Sequence, residues 1–143
     1  METKQVIVFR KDLLGGEHGI RKGKFAGQVA HASLGALLKC FTIKETDDGS
    51  VVYSSQFRKG SVLDSWLNGI FTKVVVGIDS EHELLNLVAR LEERNREGVF
   101  IPFALITDCG KTEFGGVPTV TCLGIGPAPC EEIDQFTGTL KLL

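Results

Sequence analysis

Val6-Ile7-Val8-Phe9, the loop Leu14-Gly15-Gly16-Glu17-His18-Gly19-Ile20-Arg21-Lys22-Gly23, and the run from Lys24 to about Cys40 decide the fold between them. The first is short, β-branched and apolar at both parities, which is how a strand buried on both faces reads. The second is glycine-rich, basic and without periodicity, hence a loop. The third is small or aliphatic at most positions and long enough for a helix. A doubly buried strand, a loop and a helix open an α/β layered fold.

Working outward, Lys73–Ile78, Phe103–Thr107 and Thr119–Ile125 read as further strands, the last ending at Gly126-Pro127. Ser80 to Arg96 reads as an amphipathic helix with Ser80 as N-cap, Glu83 completing a capping box, and Leu84, Leu87, Val88 and Leu91 as its buried stripe. Shorter helices are expected over Ser61–Leu67, where Trp66 packs on the sheet, and from about Glu131. Residues 41–58 hold Asp48-Gly49 between Phe41-Thr42-Ile43 and Val51-Val52-Tyr53, which suggests a hairpin. The expectation is one domain over 1–143: three α-β-α layers, a mixed sheet of about four strands, helices on both faces, and an excursion at about 41–58.

Apolar residues make up 43% and charged residues 24% of the 143, as in a folded, water-soluble chain. No stretch approaches the ~18 to 20 apolar residues of a membrane span, and nothing at the start reads as a leader, so no membrane and a cytoplasmic location are expected. Cys40, Cys109, Cys122 and Cys130 form no C-x-x-C pair and have no clustered histidines near them, so reduced thiols and no metal site are expected. The net charge of −2 weighs mildly against a nucleic-acid partner, but its distribution is uneven. Lys4, Arg10, Lys11, Arg21, Lys22 and Lys24 make a basic beginning; Glu131, Glu132 and Asp134 make an acidic end.

Lys24, Gln28, His31 and Gly35 fall within an arc of about 60° on the first helix, a polar stripe on an otherwise apolar rod. Asp108 stands at the carboxyl end of the third strand, and sites of open α/β sheets collect beyond such ends. If the first and third strands run parallel, Lys24 and Asp108 approach each other. Each has a plainer reading by itself: Asp108 as a turn residue before Gly110, Lys24 as a solvated lysine, His31 as a satisfied helix histidine, Thr121 as a strand residue. Nucleotide motifs fail: His18 stands where a Walker A loop needs glycine, and Gly124-Ile125-Gly126-Pro127 lacks the third glycine of a dinucleotide fingerprint. No G-x-S-x-G elbow is present.

Lys22-Gly23-Lys24-Phe25-Ala26-Gly27-Gln28-Val29-Ala30-His31-Ala32, Asp108-Cys109-Gly110-Lys111-Thr112-Glu113, Thr121-Cys122-Leu123-Gly124-Ile125-Gly126-Pro127, Ile133-Asp134, Thr137-Gly138 and Leu140-Lys141-Leu142 occur in that order. Together they closely resemble the archaeal and eukaryotic type of peptidyl-tRNA hydrolase. Residues 41–58 are longer than the corresponding connection of the family. Phe114-Gly115-Gly116-Val117-Pro118 adds about one residue, so Thr121 rather than Thr119 aligns with the family's active-site threonine.

The resemblance implies hydrolysis of the ester joining a peptide to the 3′ ribose of tRNA, without cofactor, by a homodimer. It implies Lys24, Asp108 and Thr121 as the catalytic set, with Gln28, His31 and Thr112 beside them at the substrate; the basic Lys11, Arg21 and Lys22 are expected on phosphates. An ordinary Asp has a pKa of about 3.9, and a nearby ammonium keeps it ionised, so Asp108 is expected to orient a water and Lys24 rather than act as a strong base. Thr121 is expected to hydrogen-bond the water or ribose; its use as a nucleophile is the weaker variant, having no visible base beside it. A non-catalytic member that binds a tRNA end or a protein, and hydrolysis of another acyl-tRNA ester, remain as alternatives.

Overall fold

A computed structural model describes residues 1–111 and 113–143. In chain order it contains β1 (Thr3–Arg10), α1 (Lys22–Leu38), β2 (Thr42–Glu45), β3 (Val51–Ser54), α2 (Val62–Leu67), β4 (Lys73–Ile78), α3 (Glu81–Arg96), β5 (Phe103–Asp108), β6 (Thr119–Pro129) and α4 (Cys130–Thr137). The main sheet has the order β4-β1-β6-β5. β1 pairs parallel with β4 and antiparallel with β6, and β6 pairs antiparallel with β5. The expected mixed, four-stranded α/β sheet is therefore present, with helices on both faces.

The double-sided pattern of β1 explains the layering. Val6 and Val8 turn to one side, where Val76, Leu123 and Ile125 join them against Leu84, Leu87 and Leu91 of α3 and Ile133 of α4. Ile7 and Phe9 turn to the other, against Ala32 of α1, with Phe25, Val29 and Ile106 around them. Buried aliphatic area on this scale contributes roughly 1.5–3 kcal/mol per large side chain, which makes these two clusters the framework on which the loops are hung.

Small residues bring α1 close to the sheet. A Cβ at Gly124 of β6 would overlap the Ala32 backbone, and one at Gly35 would come 3.1 Å from the Ala104 Cβ on β5. The same helix leaves Ala26, Ala30 and Leu34 exposed, so its apolar character does not bury it all round. α3 begins at the expected N-cap, where the Ser80 hydroxyl accepts from the Glu83 N–H at 3.2 Å, but the Glu83 carboxylate accepts from the Asp79 N–H, one residue before the position a capping box uses. Trp66 is buried and its Nε1 donates to the Thr72 carbonyl at 2.8 Å.

Some boundaries differ from expectation. α1 starts two residues before Lys24, because Arg21 already has the extended backbone of an N-cap. β6 runs past Gly126-Pro127 to Pro129: those two residues fall where the register against β1 shifts, between Ile125↔Val6 and Ala128↔Lys4, and a proline is tolerated at such an irregularity. The segment 41–58 does form a hairpin, with β2 and β3 paired from Thr42↔Ser54 to Glu45↔Val51 and every one of its strand residues exposed.

Candidate functional site

Both β1 and β5 are antiparallel to β6, so they point the same way although they are not neighbours. Their carboxyl ends share one edge of the sheet. The loop after β1 delivers α1 to that edge, and its first turn carries Lys24. Asp108, the last residue of β5, is buried and meets it: Lys24 Nζ donates to Asp108 Oδ1 at 2.5 Å. Sequence reasoning expected this approach on the condition of parallel strands, and the intervening β6 supplies that condition.

The carboxylate is held from two further directions. Gly110 N–H donates to Asp108 Oδ2 at 2.9 Å, and Gln28 Nε2 donates to Oδ1 at 3.3 Å. Gly110 sits at φ +79 with the Val117 backbone where a Cβ would be, so the turn that presents its N–H requires glycine. The Lys24 hydrogen bond holds the Asp108 pKa below the usual 3.8, against the opposing effect of burial; the Gly110 N–H and the charges of Lys24 and His31 add to it. Asp108 is thus an anion at neutral pH and a poor general base.

Thr121 reaches this group through a fault in the sheet. Ile106 pairs with Cys122, but the next residue, Thr107, pairs with Val120, leaving Thr121 as the extra residue of a β-bulge. Alternation along β6 would send Thr121 to the side of Leu123, toward α3; the bulge turns it to the α1 side with Cys122. There its Oγ1 donates to Gln28 Oε1 at 2.7 Å. Cys122, buried beside it, has its thiol pushed up to about 11 by loss of solvent, so it stays protonated and donates to the Gln28 carbonyl at 3.5 Å.

Lys24, Gln28, Asp108 and Thr121 are therefore brought together. His31 lies on the same helix, exposed, and near enough for its charge to favour the ionised Asp108. Arg21 and Lys22 are exposed at the start of α1, and Arg21 Nε donates to Glu113 Oε1 at 2.9 Å. Lys11 lies apart, its stem over Gly77 of β4 and its ammonium 2.8 Å from Asp79, beside a cavity of about 420 Å³ that Glu83 and Lys141 also line. Thr112 falls outside the described residues. Among the described residues no group of three or more His, Cys, Asp or Glu side chains is placed to hold a metal ion.

Arg10 was missed. Its Nη1 donates at 2.9 Å to the Val120 carbonyl, the peptide bond that leads into the bulge, while Nε and Nη2 engage both oxygens of Asp12 at 3.1 and 2.7 Å. In the sequence Arg10 stands only as one of the basic residues at the beginning of the chain; its target lies 110 residues away.

A family model described as "Peptidyl-tRNA hydrolase PTH2" matches residues 3–143. A peptidyl-tRNA hydrolase of Saccharolobus solfataricus is 37% identical over 140 residues, which are 98% of this chain and 98% of that protein. One of Saccharolobus islandicus strain L.S.2.15 is 39% identical over 141 residues, 99% of each chain. One of Thermococcus onnurineus is 40% identical over 142 residues, 98% of this chain and 97% of that protein. The order of motifs, the strand-end ion pair and these likenesses agree, and the chain belongs to the peptidyl-tRNA hydrolase PTH2 family.

Proposed function

We propose that this protein hydrolyses the ester between a peptide and the 3′ ribose of tRNA, and that the Lys24–Asp108 pair at the mouth of α1 does the chemistry. The observation that carries the reading is that pair: an ionised carboxylate and an ammonium, fixed at the strand ends of a chain of this family. Asp108 orients the attacking water by accepting its proton in a hydrogen bond. Lys24 sits in a helix turn whose N-cap, Arg21, offers no side-chain cap and whose first turn has no acidic residue. The backbone N–H groups of that turn and the ammonium stabilise the oxyanion or hold the terminal phosphate. Gln28 and Thr121 stand behind Asp108.

Lys22, Arg21 and Lys11 are proposed phosphate contacts, in falling order of availability, since Arg21 and Lys11 already face Glu113 and Asp79. A homodimer and a cytoplasmic location are further proposals. Leu34, Ile70 and Phe71 are exposed and offer apolar surface for a second copy, and no helix among the described residues is long and apolar enough to cross a membrane. Light scattering at several concentrations tests the dimer; a monomer mass throughout refutes it.

The central test follows deacylation of N-acetyl-aminoacyl-tRNA and of free aminoacyl-tRNA side by side. Rapid release from the blocked substrate is expected, and Asp108→Ala should slow it by roughly 10²-fold or more with KM little changed. Wild-type rates in that variant would sink the assignment. Lys22→Glu should weaken binding and make the negative slope of log K against log salt shallower by roughly 0.7–0.9; an unchanged slope would remove Lys22 from the tRNA path.

A further inference from the structure

We infer that Thr121 is a positioning residue: its hydroxyl does not touch the ester or the water but fixes the amide of Gln28, which in turn orients Asp108. The inference deepens the proposed function and rests on Lys24 and Asp108 being the groups at the ester.

Exposure falls steadily along the chain of hydrogen bonds. The Lys24 side chain is 18% exposed, Asp108 6%, Gln28 3% and Thr121 0%. Only the Lys24–Asp108 end opens to solvent, so Thr121 is the inner end of the chain and has Gln28 between it and the carboxylate.

Polarity assigns each hydrogen bond. An ionised carboxylate only accepts, so Gln28 must turn its Nε2 to Asp108, and its Oε1 is then the atom facing Thr121. The Thr121 O–H donates to that oxygen at 2.7 Å; its other acceptors, the Ile106 carbonyl and Cys122 Sγ, are both at 3.5 Å. A glutamine amide has two orientations of nearly the same shape, and the wrong one aims an oxygen at the carboxylate. The carboxylate selects the right one, and the Thr121 hydroxyl, donating to Oε1, holds the amide in that place. The bulge supplies the aim, and Arg10 holds the Val120 carbonyl just ahead of it.

The test compares Thr121→Ser, Thr121→Val, Gln28→Met and the double variant Thr121→Val/Gln28→Met, after thermal melts establish folding. Thr121→Ser keeps the donor and should stay within about 3-fold of wild-type kcat. Thr121→Val and Gln28→Met should each lower kcat by roughly 10- to 100-fold at unchanged KM, and the double variant should be no slower than the slower single one. Losses that multiply, or an acyl adduct on Thr121 in the intact mass of a quenched reaction, would overturn the inference by placing Thr121 on the substrate. Nuclear magnetic resonance reads the same link without turnover: the Gln28 side-chain amide should exchange at least about 10-fold faster in Thr121→Val and unchanged in Thr121→Ser, with backbone protection intact. Equal exchange in all three overturns it. Should Thr121→Val fail to fold, Gln28→Glu replaces it. When protonated, that side chain reproduces the amide's polarity, so its activity should fall with rising pH along a limb the wild type lacks; a wild-type pH profile would refute the inference. If the wild type proves inactive on every acyl-tRNA, the proposed function fails while the amide exchange still judges Thr121.

Discussion

The two faces of the sheet bury their residues by different means. Toward α3 and α4 the contact is aliphatic: Val6, Val8, Leu84, Leu87, Leu91, Leu123, Ile125 and Ile133. Toward α1, Gln5, Gln28, Asp108 and Thr121 are buried beside Ile7, Phe9 and Cys122. Among the described residues no buried side-chain nitrogen or oxygen lacks a partner. An aliphatic face loses energy in proportion to the volume removed. A polar face responds through its partners: deleting one group strands the others, at roughly 1–3 kcal/mol for each buried group left unpaired. One face therefore supplies stability and the other supplies a defined arrangement of atoms.

The sharpest way to break that division is Leu84→Ala. It should cost about 2–5 kcal/mol in urea unfolding while leaving kcat per folded molecule unchanged; a kcat reduced tenfold would show that the faces are not independent. Arg10→Met comes next, since it strands the Val120 carbonyl at the bulge. A loss of roughly 1–3 kcal/mol is expected, with kcat falling at constant KM as Thr121 loses its aim. A pure stability loss with normal kcat would detach Arg10 from the site.

A smaller effect is expected from pH. The folded pKa of Asp108 lies below its usual 3.8, so its ion pair stabilises the fold fully above 3.8. That contribution is lost as pH falls from 3.8 through the lower folded value, where protonation of Asp108 breaks the bond to Lys24. Urea midpoints of wild type and Asp108→Asn should therefore converge on acidification through that window; a constant gap would contradict the pairing. The smallest effect belongs to the β2–β3 hairpin, which lies on neither face. Val52→Thr there should change stability by no more than about 0.5 kcal/mol. A larger loss would show that the hairpin packs on something in solution.

Much of this was legible before the fold was known. The apolar parities of Val6 to Phe9 announced two cores, Ser80 and Glu83 announced the start of α3, and the stripe of Lys24 and Gln28 marked the helix face that meets Asp108 and Thr121. Arg10 was not legible, because a guanidinium bonded to a backbone carbonyl leaves no mark on the sequence of the strand it holds. The extension of β6 through Gly126 and Pro127 was hidden for a related reason: whether a proline interrupts a strand depends on whether the partner strand's register shifts at it.

What the sequence by itself determined is local: which segments are strands and helices, which side of each is apolar, and that Lys24 and Asp108 stand at element ends suited to a site. What only the tertiary structure decided is direction and parity. β6 had to lie between β1 and β5 and oppose both before their carboxyl ends could share an edge. Thr121 had to be the extra residue of a bulge before it could face α1, because side chains of a strand alternate and a single inserted residue reverses their side. That reversal depends on the pairing partner, which no residue within β6 specifies alone.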